Sequence, residues 1–372
     1  MSFHHPLTLL HTEASMGWGG QEIRIFKEMI GLNERGWTTM VACHPESALF
    51  LNALEHNLAV IPVRWSYKNS LSIFKQLRKV IFECNVDLVN THSSVDAWLG
   101  AIAAKSCSLP VVRTRHLSTP IKGGWNAQLL YGKLADHIVC TSQKAVELVQ
   151  SHLGKEAPAI CVATGVETHK LDRALKESEK TRQELGLSQN DIAISTACVL
   201  RSWKGLEEFL EAANTFASQP HIRFFIFGGG PGLVHYKNLH QSKYPLANVR
   251  FMGHREDIER YLAASDIFCL LSSAHEGISQ ATLQAAYLGK PLITTDIGGL
   301  SEVCLHEQTG KVVKAKQAQE VTLAMNDLIK DPVKRLEMGK KGHHLVANQF
   351  TFSQTLDEME RIFSSVARAH KV

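Results

Sequence analysis

The chain has 372 residues, 44% of them hydrophobic and 20% charged, with a formal net charge of +4. That composition describes a globular protein, and that length favours two domains over one core. The mild basic bias fits an anionic ligand or an acidic membrane surface and does not point to nucleic acid. Met1–Pro6 shows no cationic stretch leading into an apolar one, so no signal peptide is read there. No apolar run approaches the ~20 residues that span a bilayer. The eight cysteines are scattered without a C-x-x-C pair, which fits a reducing compartment and argues against a zinc site. Cys43, Cys140, Cys198 and Cys269 fall in apolar runs, where a thiol is ordinarily a small core residue.

Short apolar runs alternate with helical patterns along the whole chain. Strands are predicted near 7–10, 38–42, 59–63, 87–90, 111–114, 137–141 and 160–163, with helices over 22–35, 71–82, 95–104 and 143–151 between them. A second series of strands follows near 193–197, 223–227, 249–252, 267–271, 291–294 and 311–313. Such alternation predicts parallel, doubly wound sheets, and two series predict two Rossmann-like domains. The charged stretch 171–184 reads as a surface helix or linker at the seam, which is placed between Gly165 and Asp191. Residues 352–369 form an amphipathic pattern carried by Phe352, Leu356, Met359, Ile362, Phe363 and Val366.

Several loops carry chemistry. Gly19 and Gly20 open a helix whose apolar face reads as Ile23, Phe26, Met29 and Ile30. Glycines there allow close backbone approach, and a helix start attracts anions. Arg201 and Lys204 follow a strand and flank a helix start at Gly205, a placement that can neutralise a diphosphate. No Asp-x-Asp pair is present to hold a divalent ion for that purpose. Glu276 stands at the mouth of a loop that becomes a helix, and Gln284 follows eight residues on. Helical rise would separate the two by up to ~12 Å. His116 ends a strand beside Arg113 and Arg115, and His92 with Ser93 ends another. With Lys122, the two arginines hint at an acidic or phosphorylated acceptor. His4, His5, His343 and His344 have no metal-ligand spacing and read as surface. The glycines at 228–230 and 232 lack the third glycine of a dinucleotide fingerprint, because His235 stands at its position. Over 71–82, apolar Leu71, Phe74, Leu77, Val80 and Ile81 share one side. Lys75, Arg78 and Lys79 lie between them, which suits either a core-facing helix or one lying on an anionic membrane.

In order along the chain stand Gly17-Trp18-Gly19-Gly20-Gln21-Glu22, Asn90-Thr91-His92-Ser93, Arg113-Thr114-Arg115-His116 and Ala163-Thr164-Gly165-Val166-Glu167. Leu200-Arg201-Ser202-Trp203-Lys204-Gly205, Phe227-Gly228-Gly229-Gly230-Pro231 and Phe251-Met252-Gly253-His254 come next. Ala274-His275-Glu276-Gly277 through Gln284 and Thr295-Asp296-Ile297-Gly298-Gly299 close the set. This set resembles the family-4 retaining glycosyltransferases over most of the length, and the stretch 276–284 resembles their Glu-x7-Glu signature with Gln284 in place of the second Glu.

The resemblance implies the GT-B fold: two Rossmann-like α/β domains with doubly wound parallel sheets facing across a cleft. It implies an acceptor-binding domain over 1–168, joined by a C-terminal helix 352–372 that crosses back, and a nucleotide-sugar-binding domain over 169–351. The implied activity is metal-independent transfer of a hexose, with retention, from a UDP- or GDP-linked sugar to a glycan or glycolipid hydroxyl. Lipopolysaccharide or other cell-envelope polysaccharide synthesis is the expected setting. No cofactor beyond that substrate is implied. The expected place is the cytoplasm, in peripheral contact with the inner face of an anionic membrane. By resemblance Glu276, Arg201, Lys204 and His116 serve the reaction. Gly19, Gly20, Gly228, Gly253, His254, Gly277, Ile278, Ser279, Gln280 and Gln284 line the donor. Gln284 replaces a carboxylate that holds ribose hydroxyls in relatives, so it loses charge assistance. An epimerase-like GT-B enzyme and a non-catalytic nucleotide-sugar-binding relative are the alternatives.

Overall fold

The computed structural model describes residues 7–116, 121 and 123–370. Lys122, His4, His5 and the rest of Met1–Pro6 lie outside the described residues. The chain divides into two compact units, residues 1–163 with 354–372 and residues 164–353. The divisions therefore fall at Ala163/Thr164 and Ser353/Gln354 rather than at 168/169 and 351/352.

The first unit is built on a seven-stranded parallel sheet in the order β3-β2-β1-β4-β5-β6-β7. Its strands are β1 Thr8–Glu13, β2 Thr38–Cys43, β3 Ala59–Pro62, β4 Leu88–Thr91, β5 Val111–Arg115, β6 His137–Cys140 and β7 Ala159–Cys161. β1 pairs with β2 on one side and β4 on the other, so strand order reverses between β1 and β4. In open α/β sheets that reversal leaves a crevice at the carboxyl ends of the strands, where ligands bind.

The helix Gly20–Glu34 departs from its expected apolar face. Ile25, Met29 and Leu32 are fully buried, and so are Arg24 and Glu28, whose Nε–Oε1 ion pair spans 2.6 Å. Arg24 also donates to the Val162 carbonyl at 2.6 Å. The C-terminal helix explains the burial of this second face, since a Cβ on Gly31 would collide with Leu356. Arg35 binds Asp357 and Glu360 on the same helix. From Gln354 onward the helix Phe352–Ala369 belongs to the first unit and buries Leu356, Met359, Ile362 and Phe363. In the helix Ser70–Glu83 the core face is Ile73, Leu77, Val80 and Ile81. Leu71 does not share that face: it is 66% exposed and Phe82 72% exposed. They lie on one helical stripe with Lys75, Arg78 and Lys79.

The second unit repeats the plan with six parallel strands in the order β10-β9-β8-β11-β12-β13. These are β8 Ile192–Ala197, β9 Ile222–Phe227, β10 Val249–Gly253, β11 Ile267–Leu270, β12 Leu292–Thr295 and β13 Gly310–Val313. Order reverses between β8 and β11. Apolar residues cover both sheet faces, as parallel sheets require. The stretch 171–184 is no linker. It forms the helices Thr168–Lys176 and Ser178–Glu184, with Leu171 and Ala174 in the core and Asp172 accepting from Tyr287 at 2.9 Å. Its charges stay outside because only one narrow stripe is apolar. His343 is likewise not a plain surface residue: its ring lies 4.7 Å from that of Tyr287. All eight cysteines are free thiols.

Candidate active site

Each unit gathers its polar side chains at its own strand-order reversal. In the second unit, β8 leads into Arg201–Lys204 and β11 into Ser272–Glu276. Parallel pairing of β8 and β11 makes these loops neighbours. The Lys204 ammonium forms an ion pair with Glu276 Oε1, which also accepts from Ser272 Oγ at 2.6 Å. Glu276, without a cationic neighbour in sequence, thus acquires one in space. It is 6% exposed.

Backbone geometry fixes this carboxylate. His275 holds a left-handed φ of 56°, a conformation that costs a non-glycine residue energy and recurs at functional sites. Its ring packs edge-on against Trp203 at 5.3 Å. Gly298, with φ of 62°, lies so close that a Cβ there would strike the Glu276 carbonyl. The helix that follows starts at Gln280, so Glu276 stands in the preceding loop rather than in the helix's first turn.

The other predicted residues are placed differently. Arg201 does not join Lys204. Its guanidinium lies 5.2 Å over the Trp203 ring and lines a cavity of about 580 Å³ with Glu207, His235 and Tyr236. Gln284 is half-buried on the helix Gln280–Tyr287, and its side-chain amide has no hydrogen-bond partner among the described residues. Gly277, Ile278 and Ser279 form the half-buried loop ahead of that helix, and Gln280 donates from Nε2 to the Thr164 carbonyl. Gly253 accepts from the Gly228 amide at 2.8 Å, next to exposed His254, where the β10 register slips. A Cβ on Gly228 would collide with the Cys198 carbonyl, so the fold itself demands that glycine.

In the first unit the structure joins His116 and His92 to a third imidazole. His92 Nδ1 lies 2.9 Å from His116 Nε2, and His92 Nε2 lies 2.9 Å from His11 Nδ1. His11 lies within β1 and His92 follows β4, on the two sides of the strand-order reversal. Burial lowers the pKa of all three, His11 to about 3, and the nearby Arg24 charge opposes protonation further. Arg113 is also buried, and its charge acts on His92 and His116.

Two carboxylates complete the cluster. Asp96 accepts from the His92 amide at 2.9 Å and from Thr12 Oγ1 at 3.0 Å. Glu13 accepts from Ser93, from Gln21 and from the Ser15 amide. Burial, aided by Asp96, raises the Glu13 pKa to about 7. His11, Glu13, Gln21 and Asp96 escaped the sequence reading. The usable signal was the turn from apolar to polar at the end of β1, His11-Thr12-Glu13, inside a wholly buried strand.

Gly19 caps and Gly20 opens the helix Gly20–Glu34, and the Gly19 amide donates to Glu22 at 2.8 Å. A Cβ on Gly20 would meet nothing within 4 Å, so neither packing nor a left-handed turn requires glycine there. Among the described residues, no group of three or more His, Cys, Asp or Glu is disposed to hold a metal ion.

Residues 177–345 match the family model described as Glycosyl transferases group 1, and residues 18–170 match that described as Glycosyltransferase Family 4. The UDP-Gal:alpha-D-GlcNAc-diphosphoundecaprenol alpha-1,3-galactosyltransferase of Escherichia coli is 26% identical over 331 residues, covering 85% of this chain and 83% of that protein. The N,N'-diacetylbacillosaminyl-diphospho-undecaprenol alpha-1,3-N-acetylgalactosaminyltransferase of Campylobacter jejuni is 27% identical over 292 residues, covering 73% and 75%. The crystal structure of Anabaena Alr3699/HepE in complex with UDP-glucose matches with a TM-score of 0.81 at 21% identity, covering 96% of this chain and 100% of that one.

Proposed function

We propose, from the premise that the chain belongs to the family-4, group 1 glycosyltransferases and has their GT-B fold, that it moves a hexose from a nucleoside-diphosphate sugar to a lipid-linked glycan with retention of configuration. The ion pair of Lys204 with Glu276 at the second unit's strand-order reversal carries this reading. It sets a carboxylate that can accept from sugar hydroxyls beside a cation that can meet a phosphate. An ammonium has three N–H donors, so Lys204 can keep Glu276 and still bond a phosphate oxygen.

The first unit would hold the acceptor and the second the donor. In the reaction the bond from sugar C1 to the diphosphate oxygen breaks. The acceptor oxygen bonds to C1 on the same face, and the acceptor proton passes to the departing phosphate. Lys204 and Arg201 would stabilise that phosphate without a metal ion. Arg201 would first leave the Trp203 ring, a contact worth ~0.5–1 kcal/mol at an exposed site. His116 would contact the donor sugar. Gly20, free of any packing demand, would let backbone approach the donor. Gln284, with no side-chain partner among the described residues, would meet the ribose.

UDP is the favoured nucleotide, because the E. coli relative is named for UDP-Gal and the Anabaena structure holds UDP-glucose. A saccharide on diphospho-undecaprenol is the favoured acceptor, because both named relatives are described by one. Such an acceptor sits at a membrane surface. Among the described residues no helix is long and apolar enough to cross a membrane. The outward stripe Leu71-Lys75-Arg78-Lys79-Phe82 offers instead apolar ends and a basic centre for an anionic bilayer. The test is incubation with UDP-galactose, UDP-glucose, UDP-N-acetylglucosamine and GDP-mannose, with and without a diphospholipid-linked sugar. Acceptor-stimulated release of nucleoside diphosphate supports the reading, and silence with every donor counts against it.

A further inference from the structure

The three linked imidazoles of the first unit can be counted hydrogen by hydrogen. Each 2.9 Å nitrogen–nitrogen contact holds one hydrogen, and each neutral imidazole brings one. Burial and the charges of Arg24 and Arg113 keep the chain neutral, while Asp96 and Glu13 are engaged by other donors. Three hydrogens must therefore fill two contacts, and the third goes to one end. That end is either His11 Nε2 or His116 Nδ1.

The two ends are not equal. His11 Nε2 is buried and has no hydrogen-bond partner among the described residues. A hydrogen there would be a buried donor without an acceptor, disfavoured by a factor on the order of ten. A bare nitrogen there is the lesser penalty, since orphaned acceptors are commoner in proteins than orphaned N–H groups. The third hydrogen then belongs on His116, the half-buried member of the chain.

We infer that His11 and His92 are positioning residues that hold His116 as its Nδ1–H tautomer, so that His116 meets an accepting oxygen, such as a sugar hydroxyl, as a hydrogen-bond donor and not as a base. His11 Nδ1–H donates to His92 Nε2, and His92 Nδ1–H donates to His116 Nε2. The lone pair that a general base would need on His116 Nδ1 is thereby removed. The importance of this tautomer rests on the proposed contact of His116 with the donor sugar, but its existence does not.

Long-range proton–nitrogen NMR of the ¹⁵N-histidine-labelled full chain, free of ligand and at neutral pH, tests it directly. Loss of signals in His116→Asn assigns the residue. His116 should show a protonated Nδ1 and an unprotonated Nε2. In His92→Asn an amide replaces the middle ring and can turn over to accept, which uncouples His116 from His11, and the Nε2–H form should appear. Protonated Nε2 in the native protein overturns the inference. So does a folded His92→Asn protein in which His116 remains wholly Nδ1–H. Should that variant not fold, the native spectrum alone decides. No nucleotide-sugar is needed, so failure of turnover and failure of this inference are separate results.

Discussion

The Lys204 ammonium and the Glu276 carboxylate lie 72 positions apart in sequence and bond directly across the strand-order reversal of the second unit. Neither charge is freely hydrated, and Ser272 supplies Glu276 with a second donor. Removing one member of such a pair leaves the other buried without its counter-charge.

Stability and catalysis should therefore separate at this pair. Lys204→Ala strands the carboxylate, and urea unfolding should show a loss of about 3 kcal/mol. Glu276→Gln keeps an acceptor for Ser272 and Lys204 and should cost less stability. Both variants should lower the rate of transfer by roughly 10²–10³, as for a lost transition-state donor. Near-normal turnover of a folded Glu276→Gln enzyme would remove Glu276 from the site.

The half-buried amide of Gln284 offers a gain-of-function test. If it meets the ribose, Gln284→Glu converts a neutral acceptor into a charged one, which roughly doubles hydrogen-bond strength. Calorimetric titration with UDP should then show affinity rising about tenfold, equivalent to ~1.4 kcal/mol. An unchanged dissociation constant with altered thermal stability would mark Gln284 as a structural residue.

Two groups of the first unit should bend its stability against pH in opposite directions. His11 has a native pKa lowered to about 3 from 6.5. As pH falls below 6.5 the unfolded chain binds a proton that the native state refuses, so stability is lost on acidification. By pH 4 this amounts to on the order of 3 kcal/mol, and His11→Asn should lack it. Glu13 has a native pKa raised to about 7 from 4.5. Between those values the native state binds more protons, so its contribution falls as pH rises through that window and is fully lost above about 7. Glu13→Gln should thus gain on the wild type by up to about 3 kcal/mol between pH 5 and pH 8. Chemical unfolding of each variant at the two ends of its window checks both signs.

The exposed stripe of the helix Ser70–Glu83 predicts binding to acidic bilayers. Each basic side chain near an anionic surface contributes about 1 kcal/mol. Replacing Lys75, Arg78 and Lys79 together by Gln should therefore abolish most sedimentation with phosphatidylglycerol vesicles and leave UDP binding intact. Equal sedimentation of both proteins would assign these residues to solvent alone.

Packing of the C-terminal helix can be tested at Gly31, where Leu356 occupies the space of a side chain. Gly31→Ala should destabilise the first unit by about 1–3 kcal/mol through overpacking. The pairing Gly31→Ala with Leu356→Ala should recover part of that loss in a double-mutant cycle.

The sequence by itself determined the elements and their class. Short, nearly continuous apolar runs such as Ile222–Phe227 and the amphipathic run Phe352–Ala369 are local patterns, because burial is written into neighbouring residues. It also marked Glu276, Lys204 and His116 as candidates, through the chemistry of their loops and the order of their motifs. Which of these touch was settled by strand order alone. β8 lies beside β11 and β1 beside β4, and no local signal states that. Hence Lys204 was legible as a candidate phosphate ligand but not as the partner of Glu276. His11 was invisible as the far end of a chain that passes through His92, 81 positions away, to His116. The buried Arg24–Glu28 pair escaped for the same reason: its helix is covered on a second face by residues from the other end of the chain. Tertiary structure decides such contacts because a hydrogen bond reads distance in space, whereas a periodic pattern reads distance along the backbone.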